Sequence, residues 1–224
     1  MKFTAVVKFA AVLLLGAVLQ TVSAQAADAP RTLREFAGIR PEAARLSDAV
    51  LVIIDAQREY VDGKLPLAGI RASLAAAADL LARARKAGTP IIHVMHKGKD
   101  VLFNPDTPYF AIVPQLRPAN GETVIEKTLP NAFAGTSLAE AIARTGRKNL
   151  IVIGYMTHMC VSSTVRAALD LGYRSTVVAE TTATRDLPDG KGGVIPAAAV
   201  QAESLAALAD MFATVVQRVR DIRD

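Results

Sequence analysis

The chain has a single cysteine, no tryptophan and few aromatic residues, which make up 5% of its 224 positions. One cysteine cannot close an intramolecular disulfide, so the fold has no covalent staple. The Lys and Arg residues are dispersed among acidic ones, and few rings are available to stack on bases. Nucleic acid is therefore not an expected partner. The sequence has no G-x-G-x-x-G after its first strand-like run and no G-x-x-x-x-G-K-S/T, so phosphate cradles for dinucleotides and nucleoside triphosphates are unsupported.

Against these absences stands a globular composition, 51% hydrophobic and 21% charged. Part of the apolar excess lies at the start. Lys2 and Lys8 precede an apolar run from Phe9 to Leu19, and small residues follow at Val22-Ser23-Ala24 and Ala24-Gln25-Ala26. This is the plan of a secretory signal peptide over residues 1–26, cleaved after Ala24 or Ala26. The run is about half of the roughly 20 apolar residues that span a bilayer, so no membrane association is expected after cleavage. Without the leader, 24 basic residues stand against 21 acidic ones. The expected location is periplasmic or secreted. An idle thiol in such a compartment is open to oxidation, so Cys160 is either functional or buried and inert.

Residues 27–47 read as an arm, and 48–224 as one domain without repeat or linker. Ala49–Ile54 is a continuous apolar run, as in a strand buried on both faces. Gly69–Ala87 is helical, with Ile70, Leu74, Ala77, Leu81 and Ala84 along one face and Gly88 as its stop. Strands follow at Ile91–Met95, Glu122–Glu126, Leu150–Ile153, Ser175–Ala179 and Ala213–Val216. Helices are expected from a Ser137-x-x-Glu140 capping box to Gly146, over Cys160–Leu171 and over Ala197–Ala209. The alternation predicts a single-domain, three-layer α/β/α fold with a mostly parallel six-stranded sheet.

Ligands in such folds bind outside the carboxyl ends of the strands. Asp55 ends the first strand, Lys127 the third, and Cys160 follows the fourth after the turn GYMTHM. A helix N-terminus and a nearby ammonium both favour a thiolate, the nucleophilic form of cysteine. On this expectation Cys160 reacts with iodoacetamide well below pH 8. Asp55 is placed to take the thiol proton and later give it to a leaving amine. The turn before Cys160 offers backbone N–H groups for an oxyanion.

Three segments resemble the signatures of the isochorismatase-like cysteine hydrolases, which include nicotinamidases, N-carbamoylsarcosine amidohydrolases and streptothricin-hydrolase-like enzymes. They are LVIIDAQREY at 51–60, IEKTLPNAFAGTSL at 125–138 and IVIGYMTHMCVSSTVRAALDLGY at 151–173. The resemblance implies a catalytic triad of Asp55, Lys127 and Cys160. It also implies a cis peptide between Tyr155 and Met156, and an oxyanion hole from the N–H groups of Met156 and Cys160. A thioester intermediate follows from that set. Relatives of this fold are commonly oligomers, so a homo-oligomer is expected.

Nicotinamidases bind a metal through Asp-x-His after the second strand, where this chain reads IIHVMHKGKD. With that motif missing, no metal and no cofactor are expected. His93 reads as a packed strand residue, facing the opposite side from His96. Gln57, Tyr60, Asn131, Phe133, Thr157 and His158 flank the triad segments and are expected in the substrate pocket, with Phe103 and Tyr109 as a further aromatic wall. The expected activity is hydrolysis of a C–N bond of a small molecule. Vinyl-ether hydrolysis does not require the cysteine, and a non-catalytic binding protein has no use for the whole triad.

Overall fold

The computed structural model describes residues 29–224, so the leader at 1–26 lies outside the described residues. Residues Arg31–Asp224 form one compact body. Its arm is less loose than composition suggests. Thr32 caps a one-turn helix, α1 (Leu33–Phe36), in a reciprocal capping box with Glu35. Further on, the Ala44 N–H donates to Thr176 Oγ1 at 2.9 Å and Leu46 is fully buried. Ala44 and Leu46 thus belong to the core while Arg45 and Ser47 stay exposed, because burying the leucine outweighs the chain entropy of pinning its neighbours.

The remaining order is β1 (Ala49–Ile54), α2 (Ile70–Lys86), β2 (Ile91–His96), β3 (Thr123–Lys127), α3 (Leu138–Ala143), β4 (Asn149–Tyr155), α4 (Ser162–Asp170), β5 (Arg174–Ala183), β6 (Leu187–Pro188), β7 (Val194–Ile195), α5 (Ala197–Ala207) and β8 (Ala213–Val216). Six strands form one sheet in the order β3-β2-β1-β4-β5-β8, and every pairing is parallel. β6 and β7 make a separate antiparallel hairpin.

All six residues of β1 are buried, as its unbroken apolar run requires for a central strand. Leu51 and Ile53 face Leu74, Ala77 and Leu81 of α2. Val50, Val52 and Ile54 face the other layer, with Leu138 and Ile142 of α3 and Val165 and Ala168 of α4. Among the described residues no helix is long and apolar enough to cross a membrane.

Three expectations change. Ser137 precedes α3 but makes no side-chain cap, because its backbone (φ −90°, ψ 20°) is not extended; Thr136 Oγ1 accepts the Leu138 N–H instead. The helix expected from Cys160 begins with a wide turn at Thr157–Val161, and α4 proper starts at Ser162. β5 runs to Ala183, four residues beyond its apolar run. Its register against β4 jumps between Val152 and Gly154, and Thr181 and Thr182 hydroxyls donate to the carbonyls of Val178 and Ala179. Those bonds satisfy backbone oxygens around the irregularity.

Candidate active site

The strand order reverses between β1 and β4, so their carboxyl ends frame the crevice where open α/β sheets bind ligands. Asp55 stands at that point with φ 49°, a left-handed conformation that a short polar side chain tolerates better than most. Gly154 faces it on β4. A Cβ there would lie 2.0 Å from the Ile54 carbonyl oxygen, so glycine alone lets the two strands close beneath the site.

Lys127 reaches in from the end of β3. Its Nζ lies 2.8 Å from Asp55 Oδ2, 3.3 Å from Cys160 Sγ and 3.0 Å from His96 Nδ1. Lys127 and Asp55 form a buried ion pair, and both carboxylate oxygens are sealed from solvent. Asp55, Lys127 and Cys160 are each at most 3% exposed. The structure thus brings together the three residues read from the strand ends, and adds His96.

Burial dominates the electrostatics. It pushes the Asp55 carboxyl above its ordinary value, and the Lys127 charge only partly offsets this. Burial, followed by the Asp55 charge, pushes the Cys160 thiol up to about 12, against the smaller opposing pull of Lys127. The expectation of a thiolate reactive well below pH 8 is therefore corrected. At neutral pH the resting cysteine is a thiol, held beside an unusually basic carboxylate.

The other expected pocket residues have partners of their own. Gln57 is a buried buckle: its Nε2 donates to the carbonyls of His96 and Phe110, and its Oε1 accepts the His96 N–H. Tyr60 packs edge-on against Phe103 and Tyr155, and burial, then Asp55 and Cys160, pushes its hydroxyl well above the usual value. Thr157 is fully buried and ties the wide turn to Ala183. Asn131 closes a local turn onto the Phe133 N–H, and Phe133 stacks on Tyr173. His158 Nδ1 meets Thr184 Oγ1 at 2.6 Å, and burial, then Arg185, lowers its pKa. Arg58 lies over the Tyr109 ring.

His93 and His96 face opposite sides of β2. His93 is buried against Glu122 at 2.8 Å, on the other side of the strand from His96. The role of His96 was not read from the sequence, although the strand-end rule applies to β2 as it does to β1 and β3. The Tyr155–Met156 peptide is cis. Beyond it, the Met156 carbonyl accepts the N–H groups of Met159 and Val161 and passes over that of Cys160.

Asp55, His96 and Cys160 offer an oxygen, a nitrogen and a sulfur within 4.8 Å of one another, a donor set that suits a transition metal. The Lys127 ammonium, however, is already in contact with all three. A divalent ion would sit against a buried positive charge, so the residues present do not fit a metal.

Residues 49–218 match the family model described as the isochorismatase domain. The chain belongs to the isochorismatase family. A secreted isochorismatase effector of Verticillium dahliae is 38% identical over 83% of this chain and 96% of its own length. A streptothricin hydrolase of Streptomyces noursei is 32% identical over 76% of this chain and 66% of its own. The crystal structure of an isochorismatase from Pseudomonas putida superimposes with a TM-score of 0.82 at 46% identity, covering 86% of this chain and 99% of that one. Amidohydrolases are among the more distant relatives, including a maleamate amidohydrolase of Pseudomonas putida at 29% identity over 58% of this chain and 70% of its own.

Proposed function

We propose that this isochorismatase-family protein is an exported cysteine hydrolase that cleaves a carbon–nitrogen bond, of amide type, on a small molecule. The observation that carries the reading is the Lys127 ammonium held between a buried carboxylate and a buried thiol at the sheet's switch point. Cys160 Sγ attacks the carbonyl carbon as its proton passes to Asp55. A resting thiol next to a basic carboxylate suits this concerted transfer, which needs no standing thiolate. The N–H groups of Met156 and Cys160 hold the oxyanion. The intermediate collapses, the C–N bond breaks, and Asp55 returns the proton to the departing nitrogen. Water then attacks the thioester and gives a proton to Asp55; the C–S bond breaks, the acid leaves, and Cys160 recovers its proton.

Lys127 balances the Asp55 carboxylate before the attack and lies beside the oxyanion that takes over its charge. The amidohydrolase relatives support the amide reading, while more similar relatives that carry the isochorismatase name keep vinyl-ether cleavage as the alternative. The test is release of ammonia or amine from a panel of small amides, with Cys160→Ala as control. We expect turnover by the natural chain and a loss of at least about 10³-fold in the variant. Equal turnover by both proteins refutes the reading, and consumption of isochorismate by a protein silent on every amide replaces it with the vinyl-ether reaction.

A further inference from the structure

The triad residues are sealed, yet His96, in contact with Lys127, is only half-buried. It ends β2, the strand between the one that carries Asp55 and the one that carries Lys127. Three partners surround the Lys127 ammonium, so it has little left to offer a substrate. Its contact with His96 Nδ1 also decides the imidazole's tautomer. An ammonium can only donate, so Nδ1 accepts and the ring proton resides on Nε2. Nε2 has no partner among the described residues. Unlike His93 Nδ1, it is not sealed from solvent either.

The ring is held in place from several sides. Gln57 bonds the His96 backbone through both its N–H and its carbonyl. Phe103 packs edge-on against the imidazole, with centroids 5.1 Å apart. Phe103 itself has φ 53°, and its N–H donates to the buried carboxylate of Glu59 at 3.0 Å. A bulky residue in that conformation persists only where its surroundings require it, and here the loop presses the ring against His96. Burial, and next the Lys127 charge, lowers the imidazole to about 4, so it is a neutral donor under ordinary conditions.

We propose that His96 is the substrate-orienting donor of this site, its Nε2–H meeting a carbonyl or carboxylate oxygen of the substrate beside Cys160. The inference rests on Cys160 as the nucleophile, and it narrows the substrate to molecules with an acceptor oxygen close to the attacked carbon. Lys127 then has two roles, balancing the triad's charge and fixing the tautomer of the donor.

The test uses the only cysteine as its own probe, on the whole folded chain. Alkylation by iodoacetamide, which carries a carbonyl acceptor, is compared with alkylation by iodomethane, which does not. Both rates are read by intact mass at one pH and divided by the rate with free cysteine. Alkylation of Cys160→Ser is subtracted to remove methionine labelling. A change in thiol pKa or in access alters both rates alike; loss of the donor alters only the first.

His96→Asn and His96→Ser each keep an acceptor for Lys127 and lack the distal N–H, so either one that folds gives the reading. We expect the iodoacetamide-to-iodomethane ratio to fall about tenfold, the worth of one partly buried hydrogen bond. His96→Gln, whose amide can present a donor near the Nε2 position, should recover most of it. An unchanged ratio in the Asn and Ser variants overturns the proposal, including the case where both rates drop together. The ratio is read whether or not any amide is hydrolysed. A silent amide panel with the expected ratio therefore refutes the amidase reading and supports the His96 donor.

Discussion

Among the described residues, Lys127 carries the only positive charge in contact with two groups, Asp55 and Cys160, whose burial works against ionisation. Removing it would strand the Asp55 carboxylate in the core. Lys127→Met should therefore destabilise the protein by about 3–5 kcal/mol, the usual cost of breaking a buried pair from one side. Adding Asp55→Asn to that variant should recover part of the loss. Urea unfolding measures both, and a single variant as stable as the parent contradicts the buried-pair description. The thiol gives a second expectation. With Cys160 at about 12, its iodoacetamide rate should still be climbing with pH well above 8. Because the Asp55 charge is the second cause of the upward shift, Asp55→Asn should move that profile to lower pH. A plateau below pH 8 in the natural chain would show that Lys127 outweighs burial.

Elements bring these side chains together, and the strand that carries Lys127 is anchored at its far end as well. At the start of β3, Glu122 accepts Arg85 from α2, His93 from β2 and the Ala119 N–H. Burial alone would raise its pKa; these donors outweigh that and hold it at about 2, against 4.5 for the free side chain. The folded state thus binds this proton less readily than the unfolded state. Its contribution to stability is complete above about pH 4.5 and is lost as pH falls towards 2. The urea midpoint should drop across that window, and Glu122→Gln should flatten the drop while lowering stability at neutral pH. An unchanged acid slope would remove Glu122 as its source. Strand order, and with it the switch point, was legible only in part: alternation predicts a parallel sheet, but not the register jump in β5, around which threonine hydroxyls satisfy backbone carbonyls. The wide turn at Thr157–Val161 was hidden because its composition suits an ordinary helix start equally well.

At the scale of the whole molecule, the expected leader and the lone thiol belong to one account. In an exporting host, the mature chain should begin at Gln25 or Ala27, which intact mass decides; a retained leader would contradict export. Cys160 is 3% exposed, so a disulfide reagent should titrate one thiol quickly in denaturant and slowly in the native state. Equal rates in the two states would mean that the site is open. Burial of this kind lets a solitary thiol persist where thiols oxidise.

From the sequence alone came the parallel α/β class, the strand-end positions of Asp55, Lys127 and Cys160, and the resemblance to the isochorismatase family. All three follow from local patterns: apolar runs, helix periodicity and residue types at fixed places in motifs. The tertiary structure decided what depends on distance and solvent. It sealed Asp55, Lys127 and Cys160, and that burial pushes the Cys160 thiol up to about 12, against the expected thiolate. It also committed Gln57 and Thr157 to the backbone and set His96 against Lys127. A protonation state is set by the sum of burial and neighbouring charge, and neither can be counted along the chain. Cys160 was recognisable from its place in the sequence, but the form in which it waits was settled by what the fold packs around it.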